Sequence, residues 1–305
     1  MENSWFSFSL SDFSYAFLSV LLEGVPFILI GTLLSGVIDE FLPSKVMVRF
    51  LPRNALAGIC LSGAMGLVFP MCECGGLPIV RRLIAKGLPL ANAIAYMLAA
   101  PIVNPVVILS TYAAFRGQNA AEFTALRLLV GYFVSVIVAL AVHNLPQHLV
   151  VRQRILSQVS SGKEVGASRD FRGRVARALE VAAADFLDVM VFFILGVAIS
   201  ALFSTAVNQE LIIPFALNDW VATFSLMGFA ALLSLCSTSD AFIAATLIAF
   251  PGVAKLAFLV FGPMFDLKLL FIYSAVFRKR FIAGLAAGLF VLIGLICVRL
   301  RVLGI

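Results

Sequence analysis

Charge is what this sequence has least of. Only 12% of its 305 residues are Asp, Glu, Lys or Arg, against roughly 25% in an ordinary soluble domain. With 62% hydrophobic residues and a mean hydropathy of +1.08, the chain is read as an integral membrane protein. Histidine is nearly missing too: His143 and His148 are the only two, which disfavours a Cys/His zinc site. No phosphate-binding loop of the G-x-x-x-x-G-K-[ST] type is present, so coupling to ATP hydrolysis is not expected. Residues 1–12 carry Glu2 and Asp12 but no Lys or Arg, so the first apolar run lacks the basic flank of a leader and is expected to be a retained helix. The five cysteines (60, 72, 74, 236 and 297) do not form a disulfide framework, and their placement matters more than their number. The net charge of +6 comes from basic residues in short loops beside apolar runs, which points to membrane orientation and not to nucleic acid.

What is there is a succession of apolar segments. Phe13 to Val37 is interrupted only by Glu23, Gly24 and Pro26, and Lys45, Arg49 and Arg53 follow it. Leu56 to Phe69 leads into Pro70-Met-Cys72-Glu73-Cys74-Gly75-Gly76-Leu77-Pro78 and out through Leu77 to Ala85, beside Arg81, Arg82 and Lys86. Neither arm reaches the ~20 residues of a full span. Leu88 to Phe115 is broken at Pro101-Ile-Val-Asn104-Pro105, and Phe123 to Val142 follows. Residues 147–177 alone are polar enough to leave the bilayer; they are basic and include the flexible Ser160-Ser-Gly-Lys163. This stretch is read as a cytoplasmic linker between a first membrane repeat, 1–146, and a second, 178–305.

Beyond the linker the order recurs. Phe186 to Phe203 is followed by an acidic loop with Glu210 and Asp219, then Phe224 to Leu235, the break Cys236-Ser-Thr-Ser-Asp240, and Ala241 to Phe250. Leu256 to Val276 is broken at Gly262-Pro263-Met-Phe-Asp266, and Arg278-Lys-Arg280 precedes Phe281 to Val298. Glu23, Gly31 and Ser35 correspond to Asp188, Gly196 and Ser200; Cys72 to Cys236; Leu83-Ile-Ala85 to Leu247-Ile-Ala249; Pro101 and Asn104 to Pro263 and Asp266. Matches in constant order and spacing indicate an internal duplication, and paired interruptions in duplicated halves mark a transporter's binding site.

Charge discriminates between two topologies. If both breaks are passed as full crossings, the chain has eight spans, parallel halves, and Lys45, Arg49, Arg53 and Arg278 to Arg280 all outside. If each break is the tip of a re-entrant hairpin, each half has three true spans, the halves are inverted, and those clusters move inside. The inverted arrangement is preferred. The expected fold is therefore an all-α polytopic membrane protein of two inverted halves, each with a broken helix carrying a Cys motif.

A re-entrant tip exposes backbone groups that only protein or a wet cavity can receive. Gly75 and Gly76 are expected to allow the sharp turn and Pro78 to open the next helix, with its N-terminal amides aimed at the thiols and favouring thiolate. Ser237, Thr238, Ser239 and Asp240 are expected to cap the helix from Ala241. Cys72, Cys74 and Cys236 then form a soft three-sulfur set for a thiophilic species, with no structural metal and no cofactor expected. Cys60 and Cys297 are read as small apolar residues. Glu73, Asp240, Asn104 and Asp266 join the substrate-binding candidates, with Pro101 and Pro263 supporting the backbone. Glu23 and Asp188 are the proton-coupling candidates, because a carboxylate within a span is costly unless it faces a cavity or a partner. Lys268 has no expected partner: two residues from Asp266, it projects from a different side of a regular helix.

The pattern Cys72-Glu-Cys74-Gly-Gly-Leu-Pro78 with Gly87, then Ala100-Pro101-Ile-Val-Asn104-Pro105, then Leu235-Cys236-Ser-Thr-Ser-Asp240-Ala-Phe resembles the ArsP-like permease family over nearly the whole chain. The resemblance implies an inner-membrane efflux permease whose matching cysteines bind trivalent methylated or aromatic arsenicals. Many members carry serine where this chain has Glu73, which bears on the substrate. The expected function is secondary export, proton-coupled, with a small-molecule substrate and the lipid bilayer as partners and self-association left open. The alternatives are a membrane thiol-disulfide relay and a permease for a soft metal or a sulfur compound.

Overall fold

The computed structural model describes residues 9–42, 52, 54–152, 171–206 and 219–302. The expectations for Lys45, Arg49, Arg53, the Ser160 to Lys163 stretch and Glu210 lie outside these residues. Every named element is a helix, and the one β-type contact among the described residues is the isolated antiparallel bridge Val151–Phe277.

In chain order, the first half contains α1 (Leu10–Phe41), α2 (Ala55–Ala64) with a 3₁₀ turn at Met65–Leu67, α3 (Glu73–Ala85), α4 (Leu90–Ala99), α5 (Pro105–Ala114) and α6 (Ala120–His143). A short helix α7 (Gln147–Val150) follows. The second half contains α8 (Phe171–Ala206), α9 (Asp219–Leu233), α10 (Asp240–Thr246), α11 (Gly252–Met264), α12 (Leu267–Val276) and α13 (Lys279–Val302). Among the described residues, five helical segments are long and apolar enough to cross a membrane: Leu10–Phe41, Ala120–His143, Phe171–Thr205, Gly252–Val276 and Lys279–Leu300.

Both halves run long helix, short arm, break, short arm, split helix, long helix. Their packing matches as well: α2 lies on α4 as α9 lies on α11, and α4 lies on α6 as α11 lies on α13. Each helix leaving a break reaches into the other half, α3 against α12 and α10 against α5. The long helices α1 and α8 pack along each other and tie the halves together.

The split helices owe their shape to equivalent caps. Asn104 Oδ1 accepts from Val106 N at 2.9 Å to start α5, and Asp266 Oδ1 accepts from Leu269 N at 2.6 Å to start α12. A side-chain cap replaces backbone partners that the interrupted ladder lacks. Helix α8 begins at Phe171, so the C-terminal part of the expected linker, 171–177, is helical. At 36 residues it is about 54 Å long, well beyond a hydrocarbon thickness of about 30 Å.

Three contacts fix which helix ends lie together. Lys86, just after α3, donates from Nζ to the carbonyls of Asp39 and Leu42 at the end of α1. Gln118, after α5, donates to Ala245 O at 3.3 Å near the end of α10. Arg278 N donates to Val150 O at 2.9 Å, so the start of α13 lies beside the end of α6 and α7.

Candidate functional site

The two breaks meet in the interior. Residues Cys72, Glu73 and Cys74 from the first, Cys236 from the second, Lys268 from α12 and Glu23 from α1 line one cavity, together with apolar Val20, Phe27 and Phe193. It is narrow, about 10 Å³, which is room for about one water molecule. All five cysteines are free. Among the described residues, no group of three or more His, Cys, Asp or Glu is arranged to hold a metal ion.

Cys72 is the N-cap of α3, and its Sγ accepts from Gly75 N at 3.3 Å. A helix N-terminus thus points at a thiol, as the sequence suggests. The glycine and proline roles differ from expectation. Neither Gly75 nor Gly76 has positive φ; both lie in the first turns of α3, and Pro78 sits in the second turn, inside the helix. Gly75 is needed for close approach: a Cβ there would come within 2.6 Å of the Phe27 carbonyl oxygen, while one on Gly31 would strike the Gly75 backbone. These two glycines let α1 sit directly on α3.

The second break is built differently. Ser239 is the N-cap of α10 but makes no capping bond; its hydroxyl donates instead to Glu23 Oε1 at 3.1 Å. Ser234 has φ 49°, a left-handed conformation that costs a non-glycine residue energy unless its surroundings hold it there.

Lys268 supplies that hold. Its Nζ donates to the carbonyls of Ser234 (3.0 Å) and Leu235 (2.8 Å) and to Glu73 Oε1 (3.0 Å), and lies 3.3 Å from Asp266 Oδ2. Asp266 is reached because it is the N-cap and not a helical residue, so the regular-helix spacing that left Lys268 unpartnered does not apply. Two buried carboxylates share one buried ammonium, and Glu73 Oε2 and Asp266 Oδ2 are left without hydrogen-bond partners.

Arg127 is the residue that sequence reasoning missed. It is 2% exposed, in α6, and pairs with Asp240 at 2.9 Å. The signal available was a lone arginine within an apolar run, which at membrane depth demands a partner.

The remaining candidates separate. Glu23 lies at the cavity, whereas Asp188 pairs with Arg81 at 3.2 Å away from it, and its side chain is 48% exposed. Asp185, one helical turn earlier, is the buried member of that cluster. It accepts from Arg82 Nε at 3.0 Å and Nη2 at 3.1 Å and from Ser35 Oγ at 2.8 Å. Pro263 lies inside α11, and Pro101 is buried in the turn between α4 and α5.

Two helical halves with the same order of elements, broken helices and a cavity lined by residues of both breaks are the architecture of a membrane transporter. The chain belongs to the ArsP_1 family of predicted permeases, which it matches over residues 9–301. It is 36% identical over 269 residues to the UPF0718 protein YcgR of Bacillus subtilis, covering 87% of this chain and 89% of that one. It is 34% identical over 270 residues, 87% of each chain, to a Streptococcus mutans protein named "Putative two-component membrane permease complex subunit". No solved structure matches it. It is a multi-pass membrane protein, and its bacterial relatives point to the plasma membrane.

Proposed function

We propose that this protein is a secondary-active permease that exports a thiophilic small molecule, of the trivalent organoarsenical kind, through a midplane site at the two breaks. The observation that carries the reading is the shared cavity: thiols of Cys72, Cys74 and Cys236 beside Glu73, Glu23 and Lys268. Soft sulfur ligands suit a soft, thiophilic centre. At about 10 Å³ the cavity is too small for such a molecule, so substrate enters only when one break moves relative to the other half.

The halves, 1–146 and 178–305 around the 147–177 linker, are proposed to be inverted and to alternate access. The contacts of Lys86 with the end of α1, and of Arg278 beside the end of α7, support this. A full crossing at each break would separate both pairs by a bilayer thickness. Export is proposed to be proton-coupled, with Glu23 at the cavity as the carrier and Asp188 serving the Arg81 cluster. Asp240, Asn104 and Asp266 act on the backbone of the site: as the partner of Arg127 and as the caps of α5 and α12. No catalytic residue is assigned.

The test is uptake of methylarsenite into everted vesicles under an imposed proton gradient, with Cys72→Ser, Cys74→Ser and Cys236→Ser as comparisons. Accumulation in the parent chain that is lost in the cysteine variants is expected. Accumulation unchanged in all three variants would remove the thiols from the mechanism, and none in the parent chain would overturn the arsenical assignment. Obligatory disulfide cycling between the breaks would favour the relay reading instead.

A further inference from the structure

Each break's acidic residue is bound by a basic residue of the opposite half. Glu73 of the first break meets Lys268 at 3.0 Å, and Asp240 of the second meets Arg127 at 2.9 Å. The first pair opens into the cavity. The second does not, and Arg127 is absent from its lining.

The backbone carbonyls of the second break show what Arg127 does. Those of Ser234 and Leu235 are held by Lys268 Nζ. The carbonyl of Cys236 accepts from Ser239 N at 2.9 Å and Asp240 N at 3.0 Å. That of Ser237 accepts from Arg127 Nη2 at 3.0 Å, while Nη1 of the same guanidinium donates to Thr111 Oγ1 at 2.7 Å. Every carbonyl from Ser234 to Ser237 is therefore satisfied, as buried backbone requires. The two cations grip the chain on either side of Cys236.

We infer that Arg127 is a positioning residue: by holding the Ser237 carbonyl and the Asp240 carboxylate together, it fixes the second break so that Cys236 stays at the cavity. This rests on the reading of Cys236 as a ligand thiol, but the geometry it concerns is independent of which substrate is bound. Arginine suits the task because one planar group presents several donors at fixed angles; a lysine offers the charge without the fork. Removing the guanidinium alone would leave Asp240, 3% exposed, buried without its counter-ion.

The experiment follows the rate at which N-ethylmaleimide modifies each cysteine of the full chain in lipid nanodiscs, resolved by peptide mass spectrometry, for the parent chain, Arg127→Lys, Arg127→Met and the double variant Arg127→Met/Asp240→Asn. Cys236 modification is expected to rise by more than roughly tenfold in Arg127→Met, since losing one member of a buried pair shifts local opening by at least that much. Arg127→Lys, which keeps the charge but not the fork, should recover only part of the difference. Cys297, 0% exposed in α13, should not change in any variant. An unchanged Cys236 rate in Arg127→Met, or an equal rise at Cys297, would overturn the assignment, the latter by showing general loosening. If Arg127→Met does not accumulate, the double variant still decides: having no lone charge, it should fold and yet leave Cys236 fast. The assay needs no transport, so failure of the arsenical reading leaves its outcome interpretable.

Discussion

Lys268 Nζ and Glu73 Oε1 stand 3.0 Å apart, although they lie in opposite halves of the chain, and both are nearly inaccessible to solvent. This pair joins the first break to the second, because the same ammonium holds the carbonyls that begin the second break. Losing the cation would leave Glu73 and Asp266 facing each other without compensation, and strip the left-handed Ser234 of its support. Lys268→Met should therefore lower stability by about 3–5 kcal/mol, read as a fall in the apparent melting temperature of the detergent-purified protein. Lys268→Arg should lose less. A melting temperature unchanged in Lys268→Met would mean the pair does not brace the breaks.

The motif Gly75-Gly76 offers a contrast within two adjacent residues. A Cβ on Gly75 meets the Phe27 backbone, while one on Gly76 meets nothing within 4 Å. Gly75→Ala should destabilise by about 1–3 kcal/mol through overpacking at a backbone–backbone contact, and Gly76→Ala should be neutral or slightly stabilising, since alanine is the better helix former. Thermal melts of the two variants check this; equal effects would count against the close α1–α3 packing.

Asp185 and Asp188 sit on one helix and touch the same arginine, but differ in burial. Asp185 is held by Arg82 and Ser35 with 2% of its side chain exposed, Asp188 by Arg81 with 48%. Asp185→Asn should cost several kcal/mol as a broken buried pair, and Asp188→Asn at most about 1 kcal/mol as an exposed one. Under the proposed coupling scheme, Glu23→Gln should abolish gradient-driven accumulation while Asp188→Asn retains it. Loss of accumulation in a stably folded Asp188→Asn protein would return that residue to the coupling site.

Much of this was legible in the sequence, and the illegible part has a common cause. The succession of elements, both breaks and the equivalence of Asn104 with Asp266 follow from apolar run length and local punctuation, which act over a few residues. Asp266 and Asn104 do cap equivalent helices. What could not be read was pairing across the halves. Glu23 and Asp188 align in the sequence yet lie in different surroundings, one at the cavity and one beside Arg81, and the aligned Gly31 and Gly196 admit different neighbours, the Gly75 backbone and the Lys268 backbone. Lys268 was illegible because its reach depends on Asp266 lying outside the helix, and Arg127 because its partner, Asp240, is supplied by the other half.

That asymmetry between aligned residues makes topology the most informative remaining measurement. Lys86 bonds to carbonyls at the end of α1, so α3 ends beside the end of α1. Arg278 lies against Val150, so the start of α13 shares a face with the end of α7. A reporter fused after Lys86 and another after Arg280 should then both read cytoplasmic, while one inserted after Gly117 should read external. An external signal after Arg280 would require α11 and α12 to cross in the opposite sense, which would pull Arg278 away from Val150 and carry Lys268 out of reach of Glu73. Because both members of that ion pair line the cavity, the orientation of the split helix bears directly on the composition of the site.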